Sequence, residues 1–212
     1  GWNMVHLRLE NSGKCACFGL MIEFLFRMVR RFSFAWQMTL RGVFRMADKY
    51  VAYVGSYTRG ESDGIYILDA NVEYAYFKVR DSFKINNPSF LRLSHDEQYL
   101  YSNCDEGVAS FKILPDGGLE LMNKASVNGL RPCYLSVDRA NRYLLTAGYH
   151  DGKLTVLRLN EDGTIQGVTD EVFMKGLGSI AGRNYRCHVN CAIFSPDERL
   201  IMAVDLGMDQ VK

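Results

Sequence analysis

The sequence predicts an all-β fold assembled from repeated four-stranded antiparallel units, and three observations carry that expectation. Four strand ends recur along the chain: "YVGSY" (53–57), "LYSNC" (100–104), "LTAGY" (145–149) and "MAVDL" (202–206). Aligning Ser56, Asn103, Gly148 and Asp205 spaces them by 47, 45 and 57 residues. Ahead of the last three stands a matching block, "FLRLSHDEQY", "YLSVDRANRY" and "AIFSPDERLI", each an apolar strand, a polar turn and the start of the next strand. Behind two of them, Asp116-Gly117 and Asp162-Gly163 lie 46 residues apart between alternating runs. Asp-Gly in that setting marks a hairpin, because the turn needs a positive φ that glycine adopts without steric cost. Four antiparallel strands in about 45 residues is the period of a β-propeller blade, not the βαβ rhythm of a parallel sheet.

Taken in order, residues 1–45 form a separate part. They hold two acids, Glu10 and Glu23, against six arginines and Lys14. Glu23 and Arg27 interrupt the apolar run, which falls short of the ~20 clean residues of a membrane span. Its arginines follow the run instead of preceding it, which argues against a signal peptide. The segment is expected to be a disordered or helical extension: a transit peptide, a surface-lying helix, or sequence outside the native coding frame. Met46, opening "MADKYVAYVGSYT", is the favoured start, so the domain division is 1–45 and 46–212.

The first repeat, "YVAYVGSY", has no counterpart of "FLRLS" before it, and the last stops after two strands. About three and a half blades result, below the four to eight of closed rings. The chain therefore reads as a fragment of a longer protein, with a strand edge prone to aggregation. The longest interval contains a loop about a dozen residues longer than the period, around "FMKGLGSIAGRNYR", and long loops in compact domains tend to carry function.

Composition narrows the function. Lys plus Arg (25) nearly cancels Asp plus Glu (24), so no global field draws nucleic acid or an anionic membrane. Nineteen glycines against four prolines, with twelve tyrosines and twelve phenylalanines, suit short strands joined by tight turns. Six scattered cysteines are too few for a disulfide scaffold and read as reduced thiols of a cytoplasmic protein. "GLGSIAG" (176–182) mimics a dinucleotide loop but is followed by a strand where that motif requires a helix. Cys187, His188 and Cys191 lack a second pair at zinc spacing, so no metal is expected. His95, in the polar turn "LSHDEQY", reads as solvated.

The segments "YVGSYT", "NPSFLRLS", "RPCYLSVDRANRYLLTAGYHDGKLTVLRL" and "HVNCAIFSPDERLIMAVDLGMDQVK" resemble the seven-bladed propeller lactonases, over roughly the first half of such a protein. The resemblance implies a cytoplasmic hydrolase that opens a sugar lactone, 6-phospho-D-glucono-1,5-lactone, to 6-phosphogluconate in the pentose phosphate pathway. It implies a site at the mouth of the central channel, no cofactor and no required metal. The partner is then a small-molecule sugar lactone, with neither nucleic acid nor membrane involved. Where many members read Pro-His-x-His after an Arg-Gln pair, this chain reads Cys187-His188-Val189-Asn190 after Arg183-Asn184. Asn190 thus stands in the place of the second histidine.

Lactone opening needs a base to activate water, a donor for the developing oxyanion and a cation for a phosphate. His188 is the candidate base, since a histidine accepts a proton near neutrality. Arg183 is the candidate bidentate anion anchor, and Asn190 the candidate oxyanion donor. Strand alternation places His188 and Asn190 on the same side. Corresponding blade positions make Tyr57, Tyr149, His150 and Asp205 candidates to line one channel mouth, with His150 as a solvent-facing turn residue and Asp205 as the holder of a blade turn the open alternatives, and Arg131 precedes an entering strand as a candidate anion contact. Two other readings stay open: a non-catalytic binding propeller, and a lactonase or cycloisomerase acting on a different lactone.

Overall fold

The computed structural model describes residues 5–9, 16–18, 49–71, 74–178, 182 and 184–212. Among these every regular element is a strand, and all pairings are antiparallel. The second blade contains β6 (Leu91–Leu93), β7 (Tyr99–Cys104), β8 (Gly107–Ile113) and β9 (Leu119–Ala125), paired in chain order. The third repeats it with β10 (Tyr134–Val137), β11 (Tyr143–Gly148), β12 (Lys153–Leu159) and β13 (Ile165–Phe173). The fourth has three strands, β14 (Val189–Phe194), β15 (Ile201–Asp205) and β16 (Gln210–Val211). This is the partial propeller that the repeat spacing anticipates.

The first blade differs from expectation. Its own strands are β3 (Lys49–Gly55), β4 (Gly64–Asn71) and β5 (Tyr76–Lys84). The innermost place, read as vacant from the sequence, holds β1 (Val5–Leu9), which pairs with β3 from Val5↔Val54 to Leu9↔Tyr50. Strand β2 (Ala16–Phe18) adds to β1 on its far side. The stretch expected to be disordered or helical thus contains two strands. The rest of residues 1–45 lies outside the described residues.

The middle strands of the second and third blades are buried on both faces, which is why they read as near-continuous apolar runs. Leu100 packs into the core between the first and second blades, while its neighbour Tyr101 packs into the core between the second and third. Leu144 and Leu145 divide in the same way between the second–third and third–fourth cores. Outer strands are wet: most of β5 is exposed, including Tyr76, Phe77 and Val79. Burying one Leu side chain is worth roughly 1.5–3 kcal/mol, so the stabilising contacts lie between the sheets.

The Asp-Gly hairpins also serve as inter-blade joints. Gly117 and Gly163 both take φ 81°, each closing a turn whose Asp carboxylate accepts the N–H two residues on. The Gly117 carbonyl then accepts the buried Tyr53 hydroxyl of the preceding blade at 2.8 Å. The Gly163 carbonyl likewise accepts Tyr101 at 3.1 Å and Ser110 at 2.7 Å.

At the opposite end, the turns after β6, β10 and β14 share one geometry, with Glu97, Asn141 and Glu198 in the left-handed region at φ 58°, 53° and 57°. Two of these residues reach back to the previous blade. Asn141 Oδ1 accepts the His95 N–H at 2.8 Å, and Glu198 Oε1 accepts the Arg139 N–H at 2.6 Å. His95, though exposed, also sets its ring Nε2 at 3.1 Å from the Val137 carbonyl. It is a blade-to-blade tie as well as a solvated turn residue.

Candidate active site

The register fixes which residues share a mouth. Leu91 pairs with Ser102, Tyr134 with Ala147 and Val189 with Asp205, so the residues entering each inner strand lie beside those leaving the next. His188 enters β14 there and is 4% exposed. Its backbone N–H donates to Asp205 Oδ1 at 2.8 Å, and its carbonyl accepts the Leu206 N–H at 2.9 Å. The imidazole lies on the Tyr149 ring, with centroids 4.3 Å apart and planes 19° from parallel. Tyr185 meets it edge-on at 6.2 Å.

One contact decides the chemistry of this ring. His188 Nδ1 is 2.8 Å from the main-chain carbonyl of Tyr149. A carbonyl can only accept, so Nδ1 carries the hydrogen, and in the neutral ring Nε2 keeps its lone pair. The fold therefore presents a histidine in the tautomer a general base needs. Close backbone approach makes this possible: a Cβ on Gly207 would lie 1.9 Å from the Arg186 carbonyl, and one on Gly152 2.9 Å from the Cys187 carbonyl.

Asp205 is 1% exposed and accepts N–H bonds from His188 and, at 3.1 Å, from Gly207, with Lys212 Nζ 3.5 Å from its other oxygen. Burial works to raise its pKa, but the His188 N–H, the Cys187 thiol, Lys212 and the Gly207 N–H together hold it below the usual carboxylate value. These partners occupy the carboxylate, so Asp205 secures the corner where β14 begins and β15 ends.

Asn190 follows His188 by two residues and sits on a bulge. A bulge interrupts the ladder between Val189 and Cys191, so Asn190 has no partner on β15 and strand alternation fails across it. His188 is buried and Asn190 exposed. Arg183 lies outside the described residues. Its neighbour Asn184 is buried, and its Nδ2 donates to Asp209 Oδ2 at 2.6 Å. His150 is exposed, edge-on to Tyr149 at 5.3 Å.

Arg131 and Tyr57 form a second group. The Arg131 guanidinium lies over the Tyr57 ring, 5.4 Å from its centroid, and its Nη1 donates to Asp105 Oδ1 at 2.8 Å. The Arg131 loop joins the His188 strand two residues later. There the Cys133 Sγ is 3.6 Å from both the Val189 and Asn190 carbonyls. Leu130, on the other side, donates its N–H to Asp151 Oδ2 at 3.0 Å.

Burial disfavours the thiolate form of the nearby cysteines. Burial pushes Cys133 up to about 11, and burial followed by the hydrogen bond to Asp205 raises Cys187. Burial raises Cys191 as well. Cys104, Cys133, Cys187 and Cys191 are all free. Among the described residues no group of three His, Cys, Asp or Glu side chains is placed to hold a metal, and no helix is long and apolar enough to cross a membrane.

With this geometry in place, comparison with known proteins is decisive. Residues 51–212 match the model of the family described as "Lactonase, 7-bladed beta-propeller". The chain belongs to the seven-bladed β-propeller lactonase family. Among its lactonase relatives, the 6-phosphogluconolactonase of Bacillus subtilis is 36% identical over 169 residues, covering 77% of this chain and 48% of the relative. A crystal structure from Bacteroides fragilis superposes with a TM-score of 0.73 at 30% identity, over 81% of this chain and 49% of that one. The periplasmic gluconolactonase of Pseudomonas aeruginosa superposes with a TM-score of 0.69 at 27% identity, over 75% of this chain and 48% of that one. The chain thus spans about half the length of the lactonases it matches.

Sequence reasoning missed Asp105 and Asn87. Asp105 follows Asn103 by two, as His150 follows Gly148, so the repeat alignment already carried its signal. Nothing in the local sequence marks the bulge at Asn190, which exists only in the pairing with β15.

Proposed function

We propose that the protein hydrolyses a sugar lactone, with 6-phospho-D-glucono-1,5-lactone as the substrate and 6-phosphogluconate as the product. The observation that carries this reading is the Nδ1 contact of His188 with the Tyr149 carbonyl, which leaves Nε2 as a proton acceptor at the mouth. The relatives named 6-phosphogluconolactonase support the substrate class.

Nε2 takes a proton from water as the water oxygen attacks the lactone carbonyl carbon. The Tyr149 carbonyl then faces the imidazolium through Nδ1–H and stabilises its charge. Collapse of the tetrahedral intermediate breaks the bond to the ring oxygen, which receives the proton from Nε2 and leaves as the hydroxyl of the open acid. Water is consumed and nothing else is needed for balance. The exposed Asn190 amide is the proposed oxyanion donor, and Arg131 joins Arg183 as a proposed anchor for the phosphate.

The gluconolactonase neighbour gives a specific second substrate, the lactone without phosphate. The test is hydrolysis of freshly prepared 6-phosphogluconolactone and glucono-1,5-lactone above their spontaneous rates. His188→Ala should lower the catalysed rate by about 10²–10⁴-fold with the fold intact. An unchanged rate in that variant would overturn the assignment of the base.

A further inference from the structure

Three blades converge on the Arg131 side chain. Asp105, leaving β7 of the second blade, takes Arg131 Nη1 at 2.8 Å. Asn87, entering that blade, donates its Nδ2 to both Asp105 oxygens at 2.9 and 3.1 Å. The Asn87 main chain is fixed in turn by a reciprocal pair with the first blade. Thr58 donates its N–H to Asn87 Oδ1, and Asn87 donates its N–H to Thr58 Oγ1, both at 3.1 Å. Tyr57, next to Thr58, lies under the guanidinium. The peptide after Arg131 is held as well, because Asn103 Nδ2 donates to the Pro132 carbonyl at 2.7 Å.

An ion pair at the surface adds little to stability, so this many restraints on a partly exposed arginine mainly fix its orientation. Asp105 uses one guanidinium nitrogen, which leaves part of the planar fork to meet an anion. Asp105's oxygens already accept three N–H contacts, which lessens their repulsion of an incoming phosphate.

We propose that Asp105 and Asn87 are positioning residues that aim Arg131, stacked on Tyr57, at the phosphate of the substrate, and so set a preference for phosphorylated over unphosphorylated sugar acids and lactones. This rests on the lactonase reading above. Asp105 acts through Arg131 and touches no substrate.

The sign of one substitution separates positioning from bare charge. If Asp105 were only a nearby negative charge, Asp105→Asn would tighten binding of an anion. As a positioning residue it must weaken it. The experiment is calorimetric titration of the full chain with 6-phosphogluconate, gluconate and inorganic phosphate. Wild type should bind 6-phosphogluconate more tightly than gluconate. Asp105→Asn and Asn87→Ala should each raise Kd for 6-phosphogluconate about fivefold and leave gluconate unchanged, with circular dichroism near wild type in both and the unfolding midpoint near wild type in Asp105→Asn. Arg131→Ala should raise it more than about tenfold. Tighter or unchanged binding in Asp105→Asn, equal affinity of wild type for the two acids, or no binding of 6-phosphogluconate would each overturn the proposal. Lactone hydrolysis measured on the same samples separates the two claims: phosphate selectivity without hydrolysis would sink the lactonase reading and leave the role of Arg131 standing.

Discussion

The second and fourth blades close the same corner with different chemistry. In the second, Asn103 Oδ1 accepts the N–H of Phe90 at 2.8 Å, and the Phe90 ring packs on Tyr134 with centroids 4.5 Å apart. In the fourth, Asp205 Oδ1 accepts the N–H of His188 at the same distance, and the His188 ring packs on Tyr149. The backbone task is identical: a side-chain oxygen at the end of one strand captures the N–H that enters its neighbour. The fourth blade replaces an amide by a carboxylate and a phenyl by an imidazole. A structural joint thereby acquires a titratable ring whose proton position is dictated by the scaffold. On the proposed function, catalysis arises from a substitution at a repeated corner, and the second blade shows that corner without it.

Exchanging the two corners should therefore be asymmetric. Asn103→Asp has the largest expected effect, because the Asn103 amide nitrogen donates to the Pro132 carbonyl and the Ser89 hydroxyl. A carboxylate would face that buried carbonyl, costing about 2–4 kcal/mol in urea unfolding. Asp205→Asn keeps an oxygen for the His188 and Gly207 N–H groups and should cost only about 1 kcal/mol. Equal losses would break the comparison.

A pH series sharpens it. The Asp205 carboxyl is held below its ordinary value, so its contribution is fully present above the unfolded-state pKa of about 3.9 and is lost as pH falls through the lower folded value. Wild type should lose a component of stability below about pH 4 that Asp205→Asn lacks. Identical acid profiles would show that Asp205 is not held as described.

The inter-blade tyrosines predict smaller, paired effects. Tyr53→Phe and Tyr101→Phe each remove a hydroxyl bonded to a hairpin carbonyl, and each should cost about 1 kcal/mol. Tyr101→Phe should cost less, since Ser110 also serves the Gly163 carbonyl. His95→Ala, at an exposed tie, should cost about 0.5 kcal/mol or less.

Much of this architecture was legible in the sequence because a propeller writes its period into hairpin turns and apolar runs. Asp116-Gly117 and Asp162-Gly163 announce their turns locally, and Ser56, Asn103, Gly148 and Asp205 align without any knowledge of pairing. The site was only partly legible. Tyr149, His150, His188 and Asp205 do gather at one mouth, yet the role of Asp205 became visible only once its four partners were seen. Strict alternation does not carry through Asn190, because a bulge is decided by the opposing strand. The strand pairing of β1 with β3 had no signal either, since an edge accepts many sequences through backbone bonds alone.

The central claim is that the fold dictates where the His188 proton resides, and nitrogen-15 NMR of the imidazole tests it most directly. The account predicts the Nδ1–H tautomer for the neutral ring, with Nε2 unprotonated and Nδ1–H bonded to the Tyr149 carbonyl. A ring protonated at Nε2 instead would contradict it, and with it the assignment of His188 as the base.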